Sequence, residues 1–283
     1  MLCWMNGQYI DSNDLKISPF DHGFLYGLGF FETLRTYSGQ AVFLQDHYSR
    51  LSSACSHYFM NLPYKVTDFR DIITTLNEAA GGEDGYFRIN VSAGVHDIGL
   101  QPTEYRDPTV IVFRKPIPLR PRGQEKEAVW LKTVRSTPES DIRAKSHHYG
   151  NNVLGRMELP NLADYEGFFK NEYGLVAEGI TSNIFWLKND ILYTPSVSTG
   201  VLPGITRQRV LHIAERIGMY VREGEYLQGE LEEAHECFIT NSVQELVPIK
   251  TLGDIAFMGA EGPVYQRLHQ AYLYEISQRL KGE

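Results

Sequence analysis

Apolar residues return at helical spacing between residues 44 and 58, where Leu44, His47, Tyr48, Leu51, Ala54, Cys55 and Tyr58 share one face, and the pattern predicts an amphipathic helix. Thr67 and Asp68 can cap a second helix whose inner face is Phe69, Ile72, Ile73 and Leu76 and which stops at Gly81-Gly82. From 86 to 93 the period changes to two. Phe87, Ile89, Val91 and Ala93 point one way, and Arg88, Asn90 and Ser92 the other, as in a half-buried strand. Residues 109–113 read as a buried strand, and Asn6-Gly7 between two short apolar runs reads as a hairpin turn.

The stretch 114–123, with Pro116, Pro118 and Pro121 among polar residues, breaks the periodicity and is expected to be irregular. It suggests an N-terminal α/β sandwich domain over 1–113, a Pro-rich linker over 114–123 and a C-terminal α+β domain over 124–283. Downstream, strands are expected at 128–134, 167–169, 174–177, 183–187 and 191–194, with turns at 171–174 and Asn189-Asp190, and helices at 148–159, 205–217 and 263–280. Strands that do not alternate with helices predict an α+β fold rather than a doubly wound sheet.

Composition narrows the partners. Lys and Arg number 27 against 35 Asp and Glu, a formal charge of −8, which argues against nucleic acid or an anionic membrane as the main partner. An acidic chain that handles anions must gather its cations in one place. No apolar run approaches the roughly 18 residues of a membrane span, and the start from Met1 to Gly7 has neither a basic region nor a long apolar stretch. Cys3, Cys55 and Cys237 lack zinc or redox spacing, so reduced thiols in a cytoplasmic protein without a bound metal are expected.

Several common motifs are missing. There is no P-loop, G-x-S-x-G elbow or H-E-x-x-H, and Gly27-Leu28-Gly29 runs into Phe30-Phe31-Glu32 where a dinucleotide fingerprint needs another glycine. His147 and His148 are adjacent; on a helix they would diverge by about 100° and could not share one metal ion. The segment Leu202-Pro203-Gly204-Ile205-Thr206-Arg207 opens a helix whose first N–H groups, on Ile205 and Thr206, could hold a phosphate. Thr240-Asn241-Ser242 adds a run of small donors after an apolar stretch. Lys145 and Glu178, each alone, would be an ordinary solvated lysine and a strand-end carboxylate.

Their order is more telling. Lys145-Ser146 followed by Tyr149 and Asn151-Asn152, then Ala177-Glu178-Gly179 with Ser182-Asn183, then Leu202-x-Gly204-Ile205-Thr206-Arg207 resembles the fold-type IV pyridoxal-phosphate enzymes. That group includes branched-chain and D-amino-acid aminotransferases and aminodeoxychorismate lyase. Residues 18–27 and His47-Tyr48-Ser49-Arg50-Leu51 resemble family segments in the same order, so the likeness spans about 6–248. Lys145-Ser146-His147-His148-Tyr149 and the 18–27 stretch are most similar to the Gram-positive lyases.

The resemblance implies a two-domain, D-amino-acid-aminotransferase-like α+β fold, a homodimer, and pyridoxal 5′-phosphate as cofactor. It implies that Lys145 carries the aldehyde and is the catalytic base, an amine that must shed a proton whose ordinary pKa is about 10.4. Glu178 would face the pyridine nitrogen. Arg50, the Ile205 and Thr206 amides, Ser242 and Asn241 would meet the phosphate. Ser182 and Asn183 would be donors on the ring and phosphate side, Leu202 apolar support under the ring, and Tyr149 a partner of the phenolic oxygen. The implied reaction is elimination from 4-amino-4-deoxychorismate to p-aminobenzoate and pyruvate, a step of folate synthesis. The small-molecule substrate carries two carboxylates; Arg88 and Arg143 are candidates to bind them, with Arg35 a third. A class IV aminotransferase of D- or branched-chain amino acids, or a non-catalytic pyridoxal-phosphate binder, would share much of this pattern.

Overall fold

A computed structural model describes residues 1–100, 104–117 and 121–282. The chain divides into two compact units: Met1–Pro118 with Ala144–His148 and Arg279–Glu283, and Leu119–Arg143 with Tyr149–Gln278.

In the first unit, β1 (Leu2–Met5) and β2 (Gln8–Asp11) form a hairpin. Asn6 and Gly7 turn it with φ of 44° and 91°, the left-handed pair that a two-residue turn needs. α1 (His22–Tyr26), β3 (Gly29–Arg35), α2 (Leu44–His57), α3 (Val66–Glu78), β4 (Gly85–Ser92) and β5 (Thr109–Pro116) follow. The strands make an antiparallel sheet in the order β2-β1-β5-β4-β3. Phe87, Ile89, Val91 and Ala93, together with Phe30, Leu34, Val110 and Val112, bury against Leu51 and Cys55 of α2 and Phe69, Ile72, Ile73 and Leu76 of α3. Both helices and the alternation of β4 match the sequence pattern, except that α3 starts at Val66, so Thr67 and Asp68 lie in its first turn, where Asp68 Oδ2 accepts from the Lys65 amide at 2.6 Å.

Three local expectations differ. β5 runs on to Pro116, opposite Gly85, so residues 114–116 are strand rather than irregular; a proline is tolerated there because the ladder ends at it. Pro118, Leu119 and Arg120 of the expected linker lie outside the described residues. β3 lies where the sequence shows only a failed nucleotide motif, because Glu32 breaks its apolar alternation. The segment Ala144–His148 belongs to the first unit, whereas the sequence pattern assigns it to the C-terminal domain. It runs beside β3, with Phe31 N donating to Lys145 O and His147 N to Gly29 O, both at 2.9 Å.

The second unit is built on a mixed sheet of β6 (Lys126–Trp130), β7 (Tyr165–Lys170), β8 (Val176–Gly179), β9 (Asn183–Lys188), β10 (Ile191–Pro195), β11 (Tyr220–Gly224), β12 (Glu236–Asn241), β13 (Glu245–Leu252) and the short β14 (Ile255–Ala256). The order is β11-β10-β9-β12-β13-β6-β7-β8, with β14 paired to β13. α4 (Gly150–Met157), α5 (Ile205–Arg216), α6 (Gln228–Glu232) and α7 (Pro263–Gly282) accompany it. Phe168, Ile184, Trp186, Ile239 and Ile249 form part of its core. Strands and helices do not alternate in a parallel sheet, so the fold is α+β. β6 ends at Trp130 rather than at 134 because the Lys132 and Thr133 amides donate to the Glu158 carboxylate, at 2.7 and 2.8 Å, and leave the ladder. α4 begins at Gly150, not 148, since His147 is held in extended backbone by β3.

Candidate active site

The residues singled out by sequence fall into two sets, one in each unit. In the first unit, the β3 pairing fixes the backbone of Lys145, and its Nζ lies 4.6 Å from the centre of the Phe31 ring. The Arg88 guanidinium lies 3.6 Å from the same ring centre, on the polar face that the alternation of β4 predicts. Such a contact is worth about 0.5–1 kcal/mol at a partly exposed site, enough to orient the guanidinium but not to build the fold. Asn90 Oδ1 accepts from Arg88 Nε at 3.2 Å and lies 3.0 Å from His147 Nε2. Burial, then the charge of Arg88, pushes the His147 pKa down to about 4, so this ring is neutral near pH 7. His148 Nε2 lies 3.4 Å from Tyr26 O. Among the described residues no group of three His, Cys, Asp or Glu is placed to hold a metal ion.

Arg50, on α2, is half-buried and forms a two-pronged pair with Glu32 of β3: Nε to Oε1 and Nη2 to Oε2, each 2.7 Å. His47 Nδ1 lies 2.7 Å from Glu32 Oε2. Arg35 is engaged elsewhere, its guanidinium over the Tyr37 ring at 4.6 Å.

In the second unit, Glu178 lies at the end of β8, and the turn after that strand returns the chain into β9 at Asn183. Its side chain is buried and held on both oxygens. Oε1 accepts from Arg135 Nε at 2.9 Å and Nη2 at 2.8 Å; Oε2 accepts from Leu202 N at 2.9 Å and Asn183 Nδ2 at 3.4 Å. Arg143 Nε stands 3.8 Å from Oε1, and its guanidinium also donates to Ser136 O and Gly200 O. Burial, then the charge of Arg135, lowers the Arg143 pKa to about 10. Arg143 is thus tied to Glu178 and to backbone carbonyls, which leaves Arg88 the better candidate for a substrate carboxylate. Sequence reasoning missed Arg135: it has no motif around it, and its partner is 43 residues away.

Ser182 Oγ donates to Glu166 Oε2 at 3.3 Å, and Glu166 also accepts from the Ile180 amide at 2.9 Å, which pins the turn between Glu178 and Asn183. Asn183 Nδ2 donates to Leu202 O at 2.8 Å and so sets the approach to α5. Gly204 precedes Ile205 as the helix cap, and no side chain caps the Ile205 and Thr206 end. A Cβ on Gly204 would overlap Asn183 Oδ1. Gly204→Ala is therefore expected to displace Asn183, cost about 1–3 kcal/mol in urea unfolding as overpacking does, and weaken cofactor binding in a titration of the same variant. Asn241 Oδ1 accepts from the Val243 and Gln244 amides at 3.0 and 2.7 Å and shapes the turn that holds Ser242. Thr240 Oγ1 is buried without a hydrogen-bond partner among the described residues. Tyr149 is half-buried at the cap of α4.

An uncapped helix start, a glycine at its cap, an unpartnered buried hydroxyl and small donors next to it suit a phosphate. A carboxylate paired with Arg135 suits a protonated ring nitrogen. This donor set of the second unit fits a phosphorylated pyridine ring, and the Lys145 amine of the first unit is a group suited to an aldehyde. Residues 29–252 match the amino-transferase class IV family. The chain belongs to that family. It is 37% identical over 278 residues to the aminodeoxychorismate lyase of Bacillus subtilis (strain 168), covering 97% of this chain and 94% of that one. Among solved structures it resembles the branched-chain aminotransferase of Thermoproteus uzoniensis with norvaline, at 26% identity and a TM-score of 0.87, covering 96% of this chain and 93% of that one. It also resembles the branched-chain amino acid aminotransferase of Escherichia coli, at 25% identity and a TM-score of 0.86, covering 96% and 93%.

Proposed function

We propose that this chain is a pyridoxal-phosphate-dependent 4-amino-4-deoxychorismate lyase, which forms p-aminobenzoate and pyruvate. The observation that carries the reading is its near-full-length likeness to the Bacillus subtilis lyase. Lys145 and Arg88 on one aromatic ring add an amine and a carboxylate-binding cation suited to that substrate.

Lys145 would carry the cofactor aldehyde and then hold and move the proton at the substrate carbon that bears nitrogen. When bound, the pyridoxal ring supplies an electron sink for the pair released at that carbon. Glu178, paired with Arg135, would hold the ring nitrogen protonated, and Leu202 would support the ring from one side. Tyr149 would donate toward the phenolic oxygen. Ser182 and Asn183 would brace the Glu178 turn and the helix start. The Ile205 and Thr206 amides, Asn241, Ser242 and Arg50 would take the phosphate, directed N–H and O–H groups doing what net charge cannot in an acidic protein. Arg88 would bind a substrate carboxylate; Arg143 would instead help to fix Glu178. In the substrate, loss of the proton and of the enolpyruvyl group leaves an aromatic ring, so no second keto acid is needed.

Supplying enzymatically generated aminodeoxychorismate should yield p-aminobenzoate and pyruvate in equal amounts. Brisk glutamate formation from 2-oxoglutarate and amino acids, without p-aminobenzoate, would favour the aminotransferase reading that the solved relatives suggest. No turnover on any amine would leave a binding protein. The reading includes a homodimer, supported by the exposed Phe20, Phe24, Leu25, Ile98 and Leu100 in the first unit, on two segments joined where Gly99 N donates to Tyr26 Oη at 2.7 Å, apolar groups that a second copy could cover. It also includes a cytoplasmic location, supported by three buried, unbridged thiols.

A further inference from the structure

Glu32 is a fully buried carboxylate on the core face of β3, among Phe30, Leu34 and the inner face of α2. A lone charge there would be costly. Burial by itself pushes its pKa up; the charge of Arg50 and hydrogen bonds from Arg50 and His47 outweigh this and hold it at about 2. It is therefore an anion across the working pH range, and since an ionised carboxylate only accepts, His47 Nδ1 carries the proton between them. Two residues one helical turn apart on α2 thus grip one carboxylate from two sides.

We propose that Glu32 is a positioning residue that aims Arg50 at the cofactor phosphate. This rests on the reading of Arg50 given above. Glu32 takes the Nε–Nη2 edge of the guanidinium, so an anion bound by Arg50 must come to its Nη1 side. The rotamer freedom an arginine loses on binding a ligand, about 2 kcal/mol for a free side chain, is then already lost on folding. Two effects oppose each other. The fixed fork favours a phosphate, whereas the negative charge of Glu32 disfavours it. The guanidinium lies between the two anions and is fixed before the ligand arrives, so orientation is expected to outweigh the repulsion.

The test compares the full-length protein, stripped of cofactor, binding pyridoxal 5′-phosphate and pyridoxal, which lacks the phosphate. Glu32→Gln should weaken pyridoxal-phosphate binding by about tenfold, the effect of losing one charge-assisted bond, and change pyridoxal binding less than about twofold. Glu32→Asp, one methylene shorter with the charge kept, should fall between. In an Arg50→Ala background, Glu32→Gln should add nothing further. Equal weakening of both ligands would make Glu32 merely structural and overturn the proposal, as would tighter pyridoxal-phosphate binding through relief of repulsion. If Glu32→Gln does not fold, the Asp variant decides by the same ratio. Should the unaltered protein bind neither aldehyde, the cofactor reading itself fails; should it bind both normally while the variants leave the ratio unchanged, only this proposal does.

Discussion

Lys145→Ala is expected to abolish the absorption band of the bound aldehyde and lower turnover by more than about a thousandfold, within the range that proton transfer by a placed side chain supplies. The loss should come without unfolding. Lys145 is half-buried, and its backbone, not its side chain, pairs with β3, so truncation leaves the Phe31 N–Lys145 O bond in place. Absorbance scans, borohydride reduction followed by peptide mapping, and steady-state rates on one preparation would check it. A variant that keeps both the band and the rate would show that another amine does the work.

The second large effect is expected from Glu178→Gln. The substitution keeps size but removes the charge proposed above to hold the ring nitrogen protonated, and turnover should fall by about a hundredfold or more while cofactor remains bound. A structural cost accompanies it. Arg135 is 6% exposed, and its Nε and Nη2 both point at Glu178; leaving a buried cation without its anion typically costs about 3–5 kcal/mol. Thermal melts therefore have to be read beside the kinetics. If the variant melts lower but turns over at the original rate, Glu178 serves to anchor Arg135 and has no part in the chemistry.

The parts of the fold legible in the sequence are those where one force dominates. α2, α3 and β4 bury a single face, so Leu51, Phe69 or Val91 recur with a clean period. β3 does not, because an anion occupies a core position and is satisfied by a helix that follows it in the chain. β13 is hidden by Pro248, which argues against an interior strand; yet Pro248 pairs with Phe238 on one side, and β6 joins the other side only from Ile249 onward. The start of α4 is overridden by hydrogen bonds to residues more than a hundred positions earlier. The same contrast holds for chemistry. Lys145, Glu178 and the Gly204 helix start stand in local strings that can be read in one pass. Arg135 and Glu32 act on partners distant in sequence, and nothing adjacent to them announces it.

The antiparallel pairing of Ala144–His148 with β3 bears on biosynthesis. β3 ends its sheet, and its outward edge is covered by residues that leave the ribosome more than a hundred positions later. A nascent chain or fragment that stops at residue 118 would present a bare, partly apolar edge able to recruit other chains. Emergence of residues 144–148 from the ribosome lets that edge close, so the step that places Lys145 also shields the young polypeptide from clumping.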